Sequence, residues 1–102
     1  HLVCLHERRL MLEATIENKV KQKAGRAGWF IRKCKWLGRV GAPDRLYAKD
    51  GVQIWIEFKA TGKRVEPGSA QEREIGRMRK AGIRVEVVNS IEQGLALLGV
   101  DP

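Results

Sequence analysis

The apolar positions along this chain change period several times, and each change marks an element. Leu12, Ile16, Val20 and Ala24 recur every four residues. At 100° per residue they form one apolar arc of a helix over residues ~7–24. Glu13 falls within that arc and Glu17 on its edge. Gly25-Arg26-Ala27-Gly28 ends the helix. Trp29 to Lys33 is aromatic and β-branched and reads as a first strand. A short second strand runs from about Asp44 to Lys49, after the bend of Gly41-Ala42-Pro43. The third, Val52 to Lys59, alternates: Ile54, Ile56 and Phe58 point one way, and Trp55, Glu57 and Lys59 the other. A second helix spans roughly Ser69 to Ala81, with Ser69 as N-cap and Ile75 and Met78 on its core face. Gln71, four residues before Ile75, shares that face and needs a polar partner. Arg84 to Asn89 is a fourth strand with Val85 and Val87 facing inward. Ser90 and Gln93 fit a capping box for a last helix, Ile91 to Leu98, with Ile91, Leu95 and Leu98 on one face. The expected order is α-β-β-β-α-β-α, an α/β protein forming a single domain over residues 1–102, without repeats.

The middle of the chain carries a sharper expectation. Asp50-Gly51 is a strong signal for a two-residue hairpin turn. With those two residues as the loop, Lys49 faces Val52 and Asp44 faces Glu57. Cross-strand partners share a face at roughly 4.5–5.5 Å between Cβ atoms. Lys59, two residues beyond Glu57, lies on that face as well. Two acids and a lysine therefore converge on one small area.

Charge supplies the next constraint. Twenty Lys and Arg against twelve Asp and Glu leave a formal charge of +8 on 102 residues. A polyanion partner is implied, nucleic acid first among them. With 43% hydrophobic and 31% charged residues, the composition is that of a soluble globular domain. No apolar run suits a membrane span and no signal peptide is visible, so the expected location is cytoplasmic. Cys4 and Cys34 form no CxxC pair, and His1 and His6 complete no zinc cluster. No Ser or Cys nucleophile stands with a histidine base, and phosphate-binding GxxxxGK[ST] and GxGxxG loops are absent. Lys35 and Arg39, with Trp36 between them, could contact phosphates and stack on a base; Trp36 could equally anchor the core. Arg45, Lys63 and Arg64 are further candidate phosphate contacts, the last two in a Gly-containing loop.

Two carboxylates on neighbouring strands repel and raise one another's pKa, and a divalent cation removes that penalty. Mg²⁺ prefers oxygen ligands and keeps several waters. Asp44, Glu57 and the Phe58 backbone carbonyl could supply half a coordination shell, leaving positions for water and a phosphate oxygen. Such a metal activates water and polarises phosphorus. Lys59 could orient or deprotonate the attacking water, or offset charge in the transition state. Glu17 could reach the metal through a water, with Glu13 as its rival, and Gln71 could orient Lys59 or a phosphate. Both helix acids could instead be surface residues, Glu17 pairing with Lys21.

The ordered set Ile16-Glu17, Gly28-Trp29-Phe30, Gly41-Ala42-Pro43-Asp44, Ile56-Glu57-Phe58-Lys59, Gln71 and Gly82 to Val88 resembles the VRR-NUC domain, within the PD-(D/E)xK nucleases. The resemblance runs from about Leu12 to Leu98. It implies a restriction-endonuclease-like core with a central mixed sheet flanked by helices. It also implies a phosphodiesterase site dependent on Mg²⁺ or Mn²⁺, with Asp44 and Glu57 as metal ligands, Lys59 as catalytic lysine, and Glu17 and Gln71 in support. Small stand-alone members, from phages and bacteria, are similar to Holliday-junction resolvases and act as homodimers. With no further domain in this chain, the expectation is a dimer that cuts branched, four-way DNA in a bacterial or phage-infected cell. The alternatives are a flap or nicking nuclease, and a basic DNA-binding module whose acids only brace the fold.

Overall fold

The computed structural model describes residues 10–102. The expected start of the first helix at residue 7, together with His1, Cys4 and His6, lies outside them. The described chain runs α1 (Glu13–Arg26), β1 (Phe30–Lys33), β2 (Arg45–Lys49), β3 (Val52–Phe58), α2 (Ala70–Lys80), β4 (Val85–Val88) and α3 (Ile91–Leu97). This is the order read from the sequence.

In α1, Ile16, Val20 and Ala24 are fully buried, as their spacing requires. Leu12 is not: it is the N-cap residue, extended at φ −68° and ψ 152°, and 75% exposed. The chain before Glu13 is extended, so the four-residue period no longer applies to it. Met11 packs against the core instead. Its N–H donates to Thr61 Oγ1 (2.9 Å), and its carbonyl accepts from the Thr61 N–H (3.0 Å). Thr61 thereby holds the start of α1 next to the end of β3.

The sheet has the order β1-β2-β3-β4, antiparallel through the first three strands and parallel between β3 and β4. Asp50 (φ 50°) and Gly51 (φ 82°) both take left-handed backbone, the signature of a type I′ turn. The register is the expected one, from Lys49↔Val52 to Arg45↔Ile56. On one face Tyr47, Ile54, Ile56, Phe58 and Val88 form the main core with α1 and α3. On the other, Ile75 and Met78 of α2 pack with Val85, flanked by Trp36, Trp55 and Val87.

The helix caps follow local chemistry. Ser69 Oγ accepts from the Glu72 N–H, and Ser90 Oγ from the Gln93 N–H. The capping box at α3 closes one residue further back than expected. Gln93 Oε1 accepts from the Asn89 N–H, not that of Ser90, because Gln93 Nε2 also donates to the Val87 carbonyl. Among the described residues no helix is long and apolar enough to cross a membrane.

Candidate active site

The polar cluster forms where β3 ends. Arg45↔Ile56 is the last ladder pair of the hairpin. One further step along each strand brings Asp44 opposite Glu57. Lys59 Nζ stands 4.0 Å from Glu57 Oε2, with both side chains largely buried. Burial pushes the Glu57 carboxyl up to about 7. Lys59 and the Gln71 amide facing it pull in the opposite direction, and the charges of Glu13 and Asp44 push it further up. Burial, and the charges and hydrogen bond of Lys59, Gln71, Glu13 and Asp44, thus all act on Glu57.

Gln71 reaches this point because the loop before β2 is pressed against the first turn of α2. A Cβ on Gly41 would lie 2.6 Å from Gln71 Cα and 2.8 Å from its N, and Gly41 has φ 85°. Only glycine permits that approach in that conformation. The Gly-Ala-Pro-Asp segment therefore brings Asp44 to the sheet and Gln71 to the acids in one packing contact.

The two acids of α1 separate. Glu13 bears on Glu57 electrostatically. Glu17 instead forms an ion pair with Arg45, and not the pair with Lys21 that is one of its two sequence readings. Arg45 is paired with Ile56 and so shares the α1 face of the sheet, opposite to the face that carries Glu57. Arg45, expected to contact nucleic acid, is bound within the molecule with its side chain 12% exposed. Tyr47, two residues on, lies in the same environment, and its hydroxyl is pushed up by burial and by Glu17. The pair fastens α1 to β2. Glu17→Ala would strand a buried guanidinium and should destabilise the fold by about 1–3 kcal/mol. Glu17→Ala with Arg45→Met should recover much of that loss in urea denaturation.

Lys35 and Arg39 line a concavity of about 480 Å³ together with Lys33, Trp36 and Asp44. Two expected phosphate contacts therefore open onto an expected metal ligand. Trp36 is the core anchor of this loop: its Nε1 donates to the Pro43 carbonyl (2.8 Å), and its ring lies 5.1 Å from that of Trp55. Lys63 and Arg64 are exposed on the loop after β3, and the Lys63 carbonyl accepts from Asn89 Nδ2. The sequence pattern did not single out Glu74. It is 6% exposed in α2 and accepts two hydrogen bonds from the Arg77 guanidinium, at 2.9 and 2.8 Å. Its place one residue before Ile75, beside the apolar stripe, is the signal that could have found it.

The groups expected to hold a cation are all oxygen donors: Asp44, Glu57 and the main-chain carbonyl of Phe58. Among the described residues no three His, Cys, Asp or Glu side chains form a ready-made metal cluster. A sparse set of hard oxygens around a carboxylate crowded by negative charge fits a cation that keeps most of its water, as Mg²⁺ does.

No family model matches the sequence. No curated protein matches it either. A solved structure described as "VRR_NUC domain" is similar, with a TM-score of 0.70 and 32% identity, over 85% of this chain and 94% of that one. The element order and the mixed sheet flanked by helices are those of the restriction-endonuclease-like fold. At that identity and over nearly the full length of the neighbour, the chain belongs to the VRR-NUC domain family.

Proposed function

We propose that this chain is a nuclease that hydrolyses phosphodiester bonds in branched DNA with the help of Mg²⁺ or Mn²⁺, and that two copies act together on four-way junctions. The observation that carries the reading is Glu57: a largely buried carboxylate raised toward neutrality beside Asp44 and Glu13, with Lys59 4.0 Å away. A carboxylate that only braced a fold would have its charge satisfied, as Glu74 does with Arg77. Membership of the family and the charge of +8 supply the substrate class.

In this reading Asp44, Glu57 and the Phe58 carbonyl hold the cation, and Glu13 contributes the third acid in place of Glu17, which Arg45 engages. The cation when bound supplies Lewis acidity and a water of lowered pKa. Lys59 Nζ carries a positive charge at the same acids, where it can offset charge on the phosphate as the bond to the attacking oxygen forms. Gln71 positions Glu57 from the α2 side. Lys35 and Arg39, with Lys63 and Arg64, receive flanking phosphates. A closed dimer with twofold symmetry would present two such sites to the two opposed strands of a junction.

The test offers four-way junction, flap, single-stranded and duplex DNA with Mg²⁺ or Mn²⁺ and maps the cuts. Paired symmetric nicks near the branch are expected. Asp44→Asn should remove them with folding intact, and Lys59→Ala should lower the rate by about a hundredfold. Cuts confined to flaps would replace the junction reading with a flap nuclease. Cutting by Asp44→Asn at the wild-type rate would refute the site.

A further inference from the structure

The loop between β1 and β2 carries a feature that the chemistry of the site does not use. Leu37 is 85% exposed and Val40 is 77% exposed, three residues apart and interleaved with Lys35 and Arg39. Large aliphatic side chains grouped in solvent mark a surface that something covers.

Both ends of this loop are held. At its start the Trp36 ring is fixed against Trp55 and tied to the Pro43 carbonyl, 2.8 Å from its Nε1. At its end Gly41 is pressed onto the backbone of Gln71. Between these anchors Leu37 and Gly38 form a turn, with Gly38 at φ 73°. The residues on either side of the turn, Trp36 and Arg39, line the basic concavity that contains Asp44. Trp36, the aromatic candidate for stacking, is half-buried and packed on Trp55, so in this loop the fully exposed apolar groups are Leu37 and Val40.

The geometry points to a wedge: Leu37, supported by Val40, inserts between the bases at a DNA branch while Lys35 and Arg39 hold the phosphates on either side. The inference rests on the nuclease reading for its partner and deepens it, because it names what in the chain would select a branch over a continuous duplex. Apolar side chains that enter a base step unstack it at a free-energy cost. That cost is lowest where stacking is already interrupted, so the loop would favour junction mouths over duplex interiors. Charge complementarity commits the surface to nucleic acid: the apolar pair is flanked by Lys33, Lys35 and Arg39, and the chain carries +8.

The experiment places 2-aminopurine in the base pair at the mouth of a four-way junction and adds protein in EDTA, so that nothing is cut. Wild type and Leu37→Phe should raise the fluorescence as the base unstacks. Leu37→Ser with Val40→Ser should lose the rise and reduce the preference for junction over duplex by about tenfold. Both positions are exposed, and circular dichroism checks that the fold is unchanged. An equal rise with the doubly substituted protein overturns the wedge. So does the absence of any rise in wild type that cuts the same junction in Mg²⁺ or Mn²⁺. A rise that depends on Leu37 and Val40, in a protein that cuts no DNA with either metal, would keep the wedge and overturn the nuclease reading.

Discussion

Glu57→Gln should do two opposite things: remove cleavage and stabilise the metal-free protein. The first follows if Glu57 holds the cation, and the rate should fall by about a thousandfold or more. The second follows from the environment of the side chain. Its carboxyl titrates at about 7 in the folded protein against 4.5 in the open chain, chiefly because it is buried. Between these values the folded state holds the extra proton. Stability contributed by the site is therefore undiminished below about pH 4.5, falls as pH rises to about 7, and stays low above it. The full penalty is on the order of 3 kcal/mol at pH 8. Glutamine keeps the shape and carries no charge to desolvate, so the gain should appear at pH 8 and vanish near pH 4.5. Urea denaturation in EDTA at the two pH values measures it. Saturating Mn²⁺ should then stabilise wild type at pH 8 and leave Glu57→Gln unmoved. A substituted protein less stable than wild type at pH 8 in EDTA would make Glu57 a structural acid.

Gly41→Ala should be the most damaging small change outside the acids. The added Cβ would meet Gln71 Cα at 2.6 Å, its N at 2.8 Å and the Ala70 carbonyl carbon at 3.1 Å. These are backbone atoms of a helix, which cannot swing aside as a side chain can. The left-handed backbone at φ 85° adds its own cost. Together they should destabilise the fold by about 2–4 kcal/mol. What survives should cut slowly, because relief of the clash parts Asp44 from Gln71, and a displacement near 1 Å costs about a hundredfold. Gly62→Ala is the control: its φ is 75° and nothing lies within 4 Å of the added atom. It should show the conformational cost alone, about 1 kcal/mol, with cleavage retained. Equal losses from the two substitutions would remove the packing argument.

Much of the candidate site is legible in the sequence because it rests on short-range rules. The Asp50-Gly51 turn and the two-residue period of strands place Asp44, Glu57 and Lys59 on one face, and neither rule needs the rest of the protein. Ser69 and Ser90 act on neighbours three residues away, so they too can be read locally. Gln71 is marked by a simple inconsistency, a polar group on the apolar stripe of a helix. That inconsistency does not name its partner, which comes from the sheet.

The two acids of α1 show where local reading stops. Spacing puts Glu13 inside the apolar arc and Glu17 at its edge, yet Glu17 is the more enclosed and Glu13 is exposed. The arc passes through Leu12, which is a cap and not a helical residue. Where the chain turns from extended to helical depends on Thr61, fifty residues away. Arg45 likewise resembles any other free base in a basic chain, and only the approach of Glu17, on another element, claims it. Turn chemistry and alternation act between neighbours in the chain, and they dictate the hairpin and the three groups it aligns. The electrostatic influence of Glu13 on Glu57, the pairing of Glu17 with Arg45 and the approach of Gly41 to Gln71 arise between elements. There, close packing and burial of charge select one arrangement among several that the same pattern allows.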